Sequence, residues 1–365
     1  MEQATNRSWG TPPWRSDPAF TVSSHGAESS SPEVAIIGGG FTGLSAAYHL
    51  ARRGVSVTVL EADSFGGGAS GRTGGLVLEG TAAGIRPGAD DCVPFLDRLA
   101  REHQIDCGLE LPGCWEIAHE GKPETQLPWR DDGRMIHVAS TLPGGVVNPL
   151  ALVHGLARIA GASGAELFEN ARVLKLATTP LRLELDRAIV KPKTVIVATN
   201  AWIGALIPGL RVGIKSCLTF ALATEPLSDE TRRAIGLANG HPFFTIDQPY
   251  LWGRTLYDGG LLIGGGLLYG SPAELEQIGA NNSEVRAVFD RVERRIHALN
   301  PALASVKIAA RWGGPIAITS DYFPLISQLP EHPEIYAAGG YTGHGVAMGV
   351  KAGSLIADAI VDGKP

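Results

Sequence analysis

The sequence contains little cysteine and no long hydrophobic run. Its four cysteines, at positions 92, 107, 114 and 217, include no CxxC pair, so neither a zinc site nor a disulfide framework is predicted. No apolar stretch approaches the about 18 residues of a membrane helix, and no apolar signal segment follows Met1. HExxH and GxSxG motifs are absent, and the ten histidines show no metal-ligand spacing. We therefore expect a reduced, cytoplasmic protein with no metal site and no membrane contact.

Positive charge is also scarce, with 31 basic against 37 acidic side chains and a formal net charge of −6. Nucleic-acid-binding domains carry basic stripes, so no nucleic-acid partner is expected. A hydrophobic fraction of 44% with 19% charged residues is typical of a folded protein. A chain of 365 residues more often forms two lobes than one. The sequence assigns no oligomeric state.

Glycine is the residue in excess, at 47 of 365 positions, or about 13% where about 7% is usual. Because it shows no period of three, it must serve local backbone geometry. The glycines gather at residues 38–43, 66–75 and 339–345. A fourth cluster at residues 264–266 is expected to leave room on a substrate sheet.

The first cluster lies inside a predicted βαβ unit. Residues 34–38 (VAIIG) form a short apolar run typical of a buried strand. Residues 42–53 place apolar side chains at helical spacing, and residues 55–61 (VSVTVLE) form a second strand. Three elements within about 30 residues predict a dinucleotide-type unit.

Later segments alternate in type. Residues 215–266 are strand-like runs joined by turns such as Asp258-Gly259-Gly260, which predicts antiparallel pairing. The other predicted elements are a helix at 149–160 capped by Asn148, a strand at 193–201, a helix at 283–299, a strand at 334–340 and a helix at 345–360. The fold class is therefore α/β, with a nucleotide-type lobe beside a mostly antiparallel one.

These elements define predicted domain boundaries. The prediction is an N-terminal arm at 1–32, a nucleotide-binding domain at 33–90, 145–212 and 305–365, and a substrate domain at 91–144 and 213–304. The arm is rich in proline and serine, which is typical of an extended segment. Trp9, Pro12, Pro13 and Trp14 are expected to hold its first part against the body.

The glycine pattern at 38–43 fits GxGxxG, with Gly38 for the tight turn, Gly40 for the pyrophosphate and Gly43 for close packing. The motif follows a strand and opens a helix, whose N-terminal N–H groups favour anions. Glu61, 61 − 43 = 18 residues on, is placed to accept hydrogen bonds from ribose hydroxyls. These three contexts together predict a dinucleotide site.

The remaining clusters favour FAD over NAD. A cofactor with charge at both ends needs two sets of N–H donors, one for the pyrophosphate and one for the flavin ring. Residues 338–345 (AGGYTGHG) again lie between a strand and a helix. Backbone N–H groups around Gly343, His344 and Gly345 are therefore expected at the pyrimidine edge of a flavin.

At this point the sequence resembles the D-amino-acid oxidase, glycine oxidase and sarcosine oxidase family of FAD-dependent amine oxidases. The resemblance spans residues 34–360 in the family's order, and within that family the sequence is most similar to the glycine oxidase-like and gamma-glutamylputrescine oxidase-like branch. It is carried by VAIIGGGFTGLSAAYHLARRGVSVTVLEA, GASGRTGG, PGGVVNPLALVHGLA, TVIVATNAW, ATEPL, RWGGPIAITSDYFPLI and GGYTGHGVAMGVKAG. The resemblance implies a Rossmann-like FAD domain of the p-hydroxybenzoate-hydroxylase type beside an antiparallel substrate sheet.

The resemblance also implies the cofactor residues. They are Gly38, Gly40, Phe41, Thr42, Gly43, Glu61, Ala62, Ser70, Gly71, Arg72, Thr73, Gly74, Val173, Ala198, Thr199, Gly340, Tyr341, Thr342, Gly343, His344 and Gly345. Some relatives bond FAD covalently through a cysteine near WGG or a histidine in the GASGR segment. Here WGG has no such cysteine and Arg72 stands in the second place, so FAD is predicted to bind non-covalently.

The electron acceptor is expected to be molecular oxygen, giving hydrogen peroxide. Monomeric sarcosine oxidases place an oxygen-activating lysine in the strand that matches GLLIGGG. Leu262 stands there in this sequence, which leaves another acceptor as an alternative.

A substrate anchor is predicted from the run YLWGRTL. Tyr250, Trp252 and Arg254 share one face of a strand by period-two geometry. An arginine between an aromatic wall and a flavin would bind a carboxylate through two hydrogen bonds. Arg311 and Arg72 are competing anchors. His344 is expected either to contact substrate or flavin, or only to cap a helix.

The predicted reaction follows from the family resemblance. Hydride passes from the carbon beside the nitrogen to flavin, and the imine is hydrolysed to a carbonyl compound and an amine. The favoured substrate is glycine or an N-substituted glycine, giving an oxo acid. The alternatives are a polyamine-type amine, which needs no arginine anchor, and a non-catalytic FAD-binding subunit of an oxidase complex.

Overall fold

The computed structural model describes residues 9–16, 20–22, 29–279 and 281–363. The strands are β1 Val34–Ile37, β2 Val57–Leu60, β3 Leu76–Leu78, β4 Cys114–Ala118, β5 Thr125–Asp131, β6 Arg134–Leu142, β7 Gly144–Val146, β8 Glu166–Phe168, β9 Lys175–Thr178, β10 Leu181–Glu184, β11 Ile189–Val190, β12 Thr194–Val197, β13 Ile214–Thr224, β14 Phe243–Thr245, β15 Trp252–Thr255, β16 Leu261–Tyr269, β17 Ile308–Thr319, β18 Leu325–Leu329 and β19 His332–Gly339.

Four of the eight described helices, the first, third, seventh and eighth along the chain, follow the predicted apolar stripes. The helices are α1 Phe41–Ala51, α2 Cys92–Glu102, α3 Pro149–Ala162, α4 Ile203–Leu206, α5 Asp229–Ala234, α6 Pro272–Gln277, α7 Ser283–Leu299 and α8 Ala347–Asp362, with short 3-10 turns at Asn200–Trp202, Pro208–Val212 and Pro301–Leu303. Asn148 caps α3 by accepting a hydrogen bond from the Ala151 N–H, as its sequence predicts. None of the described helices is long and apolar enough to cross a membrane.

The first lobe is built on a sheet in the order β18-β19-β12-β1-β2-β8. All neighbours run parallel except the hairpin pair of β18 and β19. The central strand β1 is fully buried, with Ile36 paired to Val59 on one side and Ile196 on the other. This order places the first strand at the topological switch point, where α/β sheets bind ligands beyond the carboxyl ends of their strands. The predicted βαβ unit is therefore confirmed.

Helices cover one face of this sheet at close range. A side chain at Gly353 of α8 would lie 2.5 Å from the main-chain oxygen of Thr42 in α1. The Ser45 hydroxyl donates a hydrogen bond of 2.6 Å to the Val350 oxygen across the same contact. Glycine thus lets α8 press against α1, which holds the N-terminus of α1 fixed relative to the segment before α8.

The second lobe is a sheet in the order β17-β13-β16-β15-β14-β4-β6-β5. Its pairs are antiparallel as predicted, except that β14 runs parallel to β4, a pairing that local turn signals in residues 215–266 do not predict. Helix α7 covers one face and has the predicted bounds. Its buried stripe contains Val285, Val288, Val292 and Ile296. The opposite face of the sheet looks toward the first lobe.

The domain boundaries stay a prediction, and two elements cross them. Strand β17, which they assign to the nucleotide-binding domain, pairs with β13 of the second sheet. Helix α2, which they assign to the substrate domain, packs its Cys92 and Leu96 into the core that also contains α1. Within the arm, Trp9 and Trp14 are buried as expected.

Candidate active site

The turn between β1 and α1 has room only for glycine. Gly38 has a φ of +109°, a left-handed conformation that side chains disfavour. A Cβ on Gly43 would lie 2.0 Å from the Gly38 oxygen, and a Cβ on Gly40 would lie 2.6 Å from the Ser70 hydroxyl. The N-cap residue of α1, Gly40, makes no side-chain hydrogen bond, and the first turn carries no acidic residue. The N-terminus of α1 is therefore an open anion site, as a pyrophosphate requires.

Glu61 lies beside this turn at the end of β2. Its carboxylate accepts hydrogen bonds from the main-chain N–H groups of Gly39 (2.7 Å) and Asp63 (3.0 Å). The Ala171 N–H donates to the main-chain oxygen of Glu61 at 2.8 Å, which brings the segment of Val173 to the same edge. Glu61, the half-buried Ala62 and Val173 thus adjoin one end of the GxGxxG turn.

The second glycine cluster closes over the start of α1. The Phe41 N–H donates to the Ser70 hydroxyl at 3.1 Å. A Cβ on Gly71 would lie 2.3 Å from the Gly66 oxygen, so this loop also depends on close backbone approach. The Arg72 guanidinium is buried and donates to the main-chain oxygens of Gly313 (2.8 Å) and Gly10. Arg72 therefore ties the loop to β17.

The third cluster forms the turn before α8. Gly340 and Gly343 have φ values of +72° and +88°, so the chain needs glycine there. The Tyr341 and Thr42 hydroxyls are hydrogen bonded at 2.7 Å, and burial raises the pKa of Tyr341. Helix α8 begins at Ala347, two residues later than predicted. The residues from 343 to 345 are consequently loop.

One cleft runs between these clusters and the second sheet, with an empty volume of about 1170 Å³. Its predicted cofactor residues are Gly40, Phe41, Thr42, Ser70, Arg72, Thr73, Gly74, Ala198, Tyr341, Thr342, Gly343 and Gly345. Gly38, Gly43, Gly71 and Gly340 shape the turns around it instead, as their close contacts show.

Two buried polar atoms near this cleft have no hydrogen-bond partner among the described residues. They are the Thr199 hydroxyl, next to the lining residue Ala198, and Nδ1 of His344. Burial lowers the pKa of His344, and its ring lies 6.0 Å from that of Phe244. A glycine cradle, an uncapped helix and unsatisfied polar atoms along one cleft fit FAD. None of the four cysteines lines the cleft, and burial raises the pKa of each thiol.

Apolar side chains from the second sheet, from β3 of the β3-β7 pair and from the segment before β15 close the cleft with an apolar wall. The wall consists of Leu76, Leu78, Phe244, Tyr250, Trp252, Trp312 and Ile316. Burial, together with the nearby Cys114, raises the pKa of Tyr250 to about 12. The Trp252 ring lies over Gly264, where a Cβ would be 2.1 Å from the indole. The structure thus brings Tyr250 and Trp252 together at the cleft.

Arg254 and Arg311 do not line this cleft. The Arg254 guanidinium is 7% exposed and donates to the Val147 oxygen at 2.8 Å, on the far side of the loop at Gly75. Burial lowers the pKa of Arg254 to about 10. Arg311 is exposed and pairs with Glu293 at 2.6 Å. Leu262 is fully buried in a cluster with Trp312 and lies outside the lining.

Sequence reasoning missed a charged network behind Tyr250. The Arg295 guanidinium donates to Asp131 through Nε and Nη2, each at 2.6 Å, and to the Tyr250 main-chain oxygen at 2.7 Å. The buried His119 ring has a carboxylate at each nitrogen, Asp131 at 3.1 Å and Asp247 at 2.7 Å. Both ring nitrogens of His119 thus lie within hydrogen-bond distance of a carboxylate oxygen.

One carboxyl group of the network, that of Asp247, has a shifted pKa. Burial alone would raise the pKa of Asp247, but the hydrogen bonds from His119 outweigh it and lower that pKa. The four side chains of the network come from four separate segments of the chain, so no local sequence motif could have indicated that they meet. Among the described residues no cluster of His, Cys, Asp or Glu could hold a metal ion.

Comparison with known proteins identifies the family. The DAO family of FAD dependent oxidoreductases matches residues 33–359. Gamma-glutamylputrescine oxidoreductase of Escherichia coli (strain K12) is 31% identical over 378 aligned positions, which cover 91% of this chain and 84% of that protein. The probable oxidoreductase OrdL of Rhizobium meliloti (strain 1021) is 30% identical, covering 89% and 82% respectively.

A solved structure shares the fold. Glycine oxidase from Geobacillus kaustophilus superposes with a TM-score of 0.73 at 20% sequence identity, covering 92% of this chain and 95% of that one. The chain therefore belongs to the DAO family, and it is an FAD-dependent oxidoreductase that acts on amines or amino acids.

Proposed function

We propose that the substrate is an amine whose reacting carbon bears an alkyl chain rather than a carboxylate. An N-acylated diamine is the representative of this class. FAD, when bound, supplies the acceptor for the hydride that leaves this carbon. The resulting imine is hydrolysed to an aldehyde and ammonia or an amine. A cytoplasmic location and molecular oxygen as the electron acceptor are parts of the same proposal.

The observation that carries the proposal is the lack of an available cation in the described part of the substrate wall. Arg72 is the cationic side chain among the lining residues, and its guanidinium is engaged by the oxygens of Gly313 and Gly10. Arg254 and Arg311 are held elsewhere. A buried carboxylate without a charged partner costs several kcal/mol, so an α-amino acid would bind poorly here.

An apolar wall has a further consequence for the amine. Desolvation disfavours the charged form of a basic group, so it lowers the pKa of an amine that enters the cleft. The neutral amine is the form that can lose hydride. Wall residues such as Trp252 and Ile316 therefore act by excluding water and by holding the alkyl chain.

Tyr250 is the polar side chain we place nearest the reacting nitrogen. With a pKa of about 12, its hydroxyl keeps its proton at neutral pH and cannot serve as a base. It can orient the amine through a hydrogen bond. Arg295, which holds the main-chain oxygen of Tyr250, is a positioning residue for that hydroxyl.

The relatives support the amine class. The 31% identical relative is named for gamma-glutamylputrescine, an acylated diamine. A substrate of this kind needs no guanidinium beside the flavin. The sequence-based prediction of glycine or an N-substituted glycine stays the competing hypothesis. It differs from the amine class because it requires an anchor for the substrate carboxylate.

The test is anaerobic bleaching of the purified flavoprotein. N-acetyl-butane-1,4-diamine, butane-1,4-diamine, glycine and N-methylglycine are each mixed with it, and the flavin absorbance is followed. We expect the acylated diamine to reduce the flavin at least about tenfold more efficiently than either glycine. Faster bleaching by glycine or N-methylglycine would overturn the amine class. No bleaching by any amine would favour the non-catalytic subunit.

A further inference from the structure

The described residues at the N-terminus, 9–16, lie outside the matched family region of 33–359. We call residues 9–16 the N-terminal strap. The strap begins on the second lobe, where the Gly313 N–H donates to the Trp9 oxygen at 2.7 Å and Gly10 forms a bridge with Trp312. The Trp9 indole N–H also donates to the Leu275 oxygen at 3.0 Å. The strap is therefore joined to β17 by a single antiparallel bridge.

The strap also holds the loop of the second glycine cluster. Arg72 of that loop donates to the Gly10 oxygen, and its guanidinium carbon lies 5.7 Å from the centre of the Trp9 ring. The Trp14 indole N–H donates to the Thr73 oxygen at 3.0 Å. Both ends of the strap thus contact the same short loop.

Strand β17 contacts the same loop from the other side. The Trp312 indole N–H donates to the Arg72 oxygen at 2.9 Å, and the rings of Trp14 and Trp312 meet edge to face at 6.5 Å. Consecutive main-chain oxygens of the loop, those of Arg72 and Thr73, are therefore each held by an indole. Burial of both indoles excludes water from these hydrogen bonds.

The loop at residues 70–74, which the strap and β17 both contact, is part of the cofactor site. Ser70 accepts the hydrogen bond from the Phe41 N–H at the start of α1, and Thr73 and Gly74 line the cleft. No described strap residue lines that cleft. Any effect of the strap on FAD must then pass through the backbone position of residues 70–74.

We propose that the N-terminal strap is a positioning element for FAD, which sets the loop at residues 70–74 through Trp14 and Arg72. It acts on cofactor affinity and on the surroundings of the flavin, not on substrate selection. The alternative is that the strap adds only general stability, as any buried segment does. A positioning role predicts that a change in the strap weakens FAD binding beyond its effect on the stability of the apoprotein. A purely stabilising role predicts an effect on stability alone.

A matched pair of tryptophan substitutions separates these alternatives. Trp14→Phe keeps an aromatic ring but removes the indole donor to Thr73. Trp129→Phe makes the same chemical change in the second lobe, where the Trp129 indole N–H donates to the Ile235 oxygen at 2.7 Å. Trp129 is fully buried and lies in the cluster that faces α7, so it serves as the control.

FAD is titrated into each apoprotein, and its Kd, its visible circular dichroism and the thermal midpoint of the apoprotein are measured. We expect Trp14→Phe to raise the Kd about fivefold, the effect of one lost hydrogen bond, and to change the flavin dichroism. Trp129→Phe should lower the thermal midpoint similarly while leaving the Kd and the dichroism unchanged.

A chain lacking residues 1–16 gives the larger version of the test, with an expected rise in Kd of at least about tenfold. Since that truncation can also impair folding, Trp14→Phe decides the outcome. A Kd for Trp14→Phe equal to that of Trp129→Phe, with unaltered dichroism, would overturn the proposal. These measurements need no substrate, so they are independent of the proposed amine class.

Discussion

The two sides of the cleft are built in different ways. The cofactor side consists of main chain from three short glycine-rich segments, such as the turn at residues 38–43. The substrate side consists of side chains that come from β3, β14, β15 and β17. Backbone recognition requires particular local sequences, whereas a side-chain wall depends on how distant strands are aligned. The first side can therefore be recognised in a sequence, and the second cannot.

Glycine also has different roles on the two sides. Gly43 allows a main-chain oxygen to approach, that of Gly38. Gly264 instead accommodates a side chain, because the Trp252 indole fills the space a Cβ would need, and Val288 similarly approaches Gly266. The room expected at residues 264–266 is thus occupied by protein. It does not widen the cleft.

The largest effect is expected on the cofactor side. Gly43→Ala places a Cβ 2.0 Å from the Gly38 oxygen, so α1 must shift away from the turn. We expect FAD to bind about a hundredfold more weakly, equivalent to about 3 kcal/mol, as measured by titration of the apoprotein. Gly68→Ala is the control, since nothing lies within 4 Å of its Cβ. Equal FAD affinity in the two variants would contradict the assignment of the turn.

A smaller effect is expected on the substrate side. Gly264→Ala places a Cβ 2.1 Å from the Trp252 ring, so the indole must move within the cleft. We expect kcat/KM to fall about tenfold while the Kd of FAD stays within about twofold. Steady-state kinetics and FAD titration together check this split. Gly209→Ala is the control, because its Cβ would meet no described atom within 4 Å, and it should change neither kcat/KM nor the Kd of FAD. Loss of FAD from Gly264→Ala would remove the distinction between the two sides.

Removing one hydroxyl should have a still smaller effect. Tyr250→Phe is expected to lower kcat/KM about fivefold, the effect of one hydrogen bond. Since the pKa of Tyr250 is about 12, its hydroxyl keeps its proton up to about pH 10. The variant and the parent should therefore share one pH profile, whose acidic limb, where the amine becomes protonated, moves with the pKa of the amine used. A limb that disappears in Tyr250→Phe would make Tyr250 a base.

Acid should affect stability on the cofactor side first. Burial lowers the pKa of His49 in α1 from 6.5 to about 4, and its Nε2 atom has no hydrogen-bond partner among the residues that the structure describes. The unfolded chain takes up this proton before the folded chain does, so stability falls as the pH drops from about 6.5 to 4, by up to roughly 3 kcal/mol. Asp247, on the substrate side, has a lowered pKa and stabilises the fold until the pH nears its unfolded value of 3.8.

Chemical unfolding between pH 7 and pH 4.5 checks this order. His49→Gln is expected to flatten the loss of stability, because an amide does not titrate. If the free energy of unfolding of His49→Gln falls with pH as steeply as that of the parent, another group causes the acid sensitivity.

Much of the secondary structure follows from local sequence. The βαβ unit, the cap at Asn148 and the bounds of α7 depend on periodicity and on capping residues, which act over a few positions. The parallel pairing of β14 with β4 and the network of Arg295, Asp131 and His119 do not. Their members are far apart in sequence, so no local pattern records that they meet.

The predicted site divides in the same way. Period-two geometry predicts Tyr250, Trp252 and Arg254 on one face of a strand, but β15 begins at Trp252, so Tyr250 precedes the strand, and Arg254 lies outside the cleft lining. Sequence alone determined the FAD cradle, because close approach of backbone to phosphate tolerates only glycine at set spacings. Only the tertiary structure decided which side chains face the substrate. That choice depends on strand order and loop paths, which are set by the packing of the whole core.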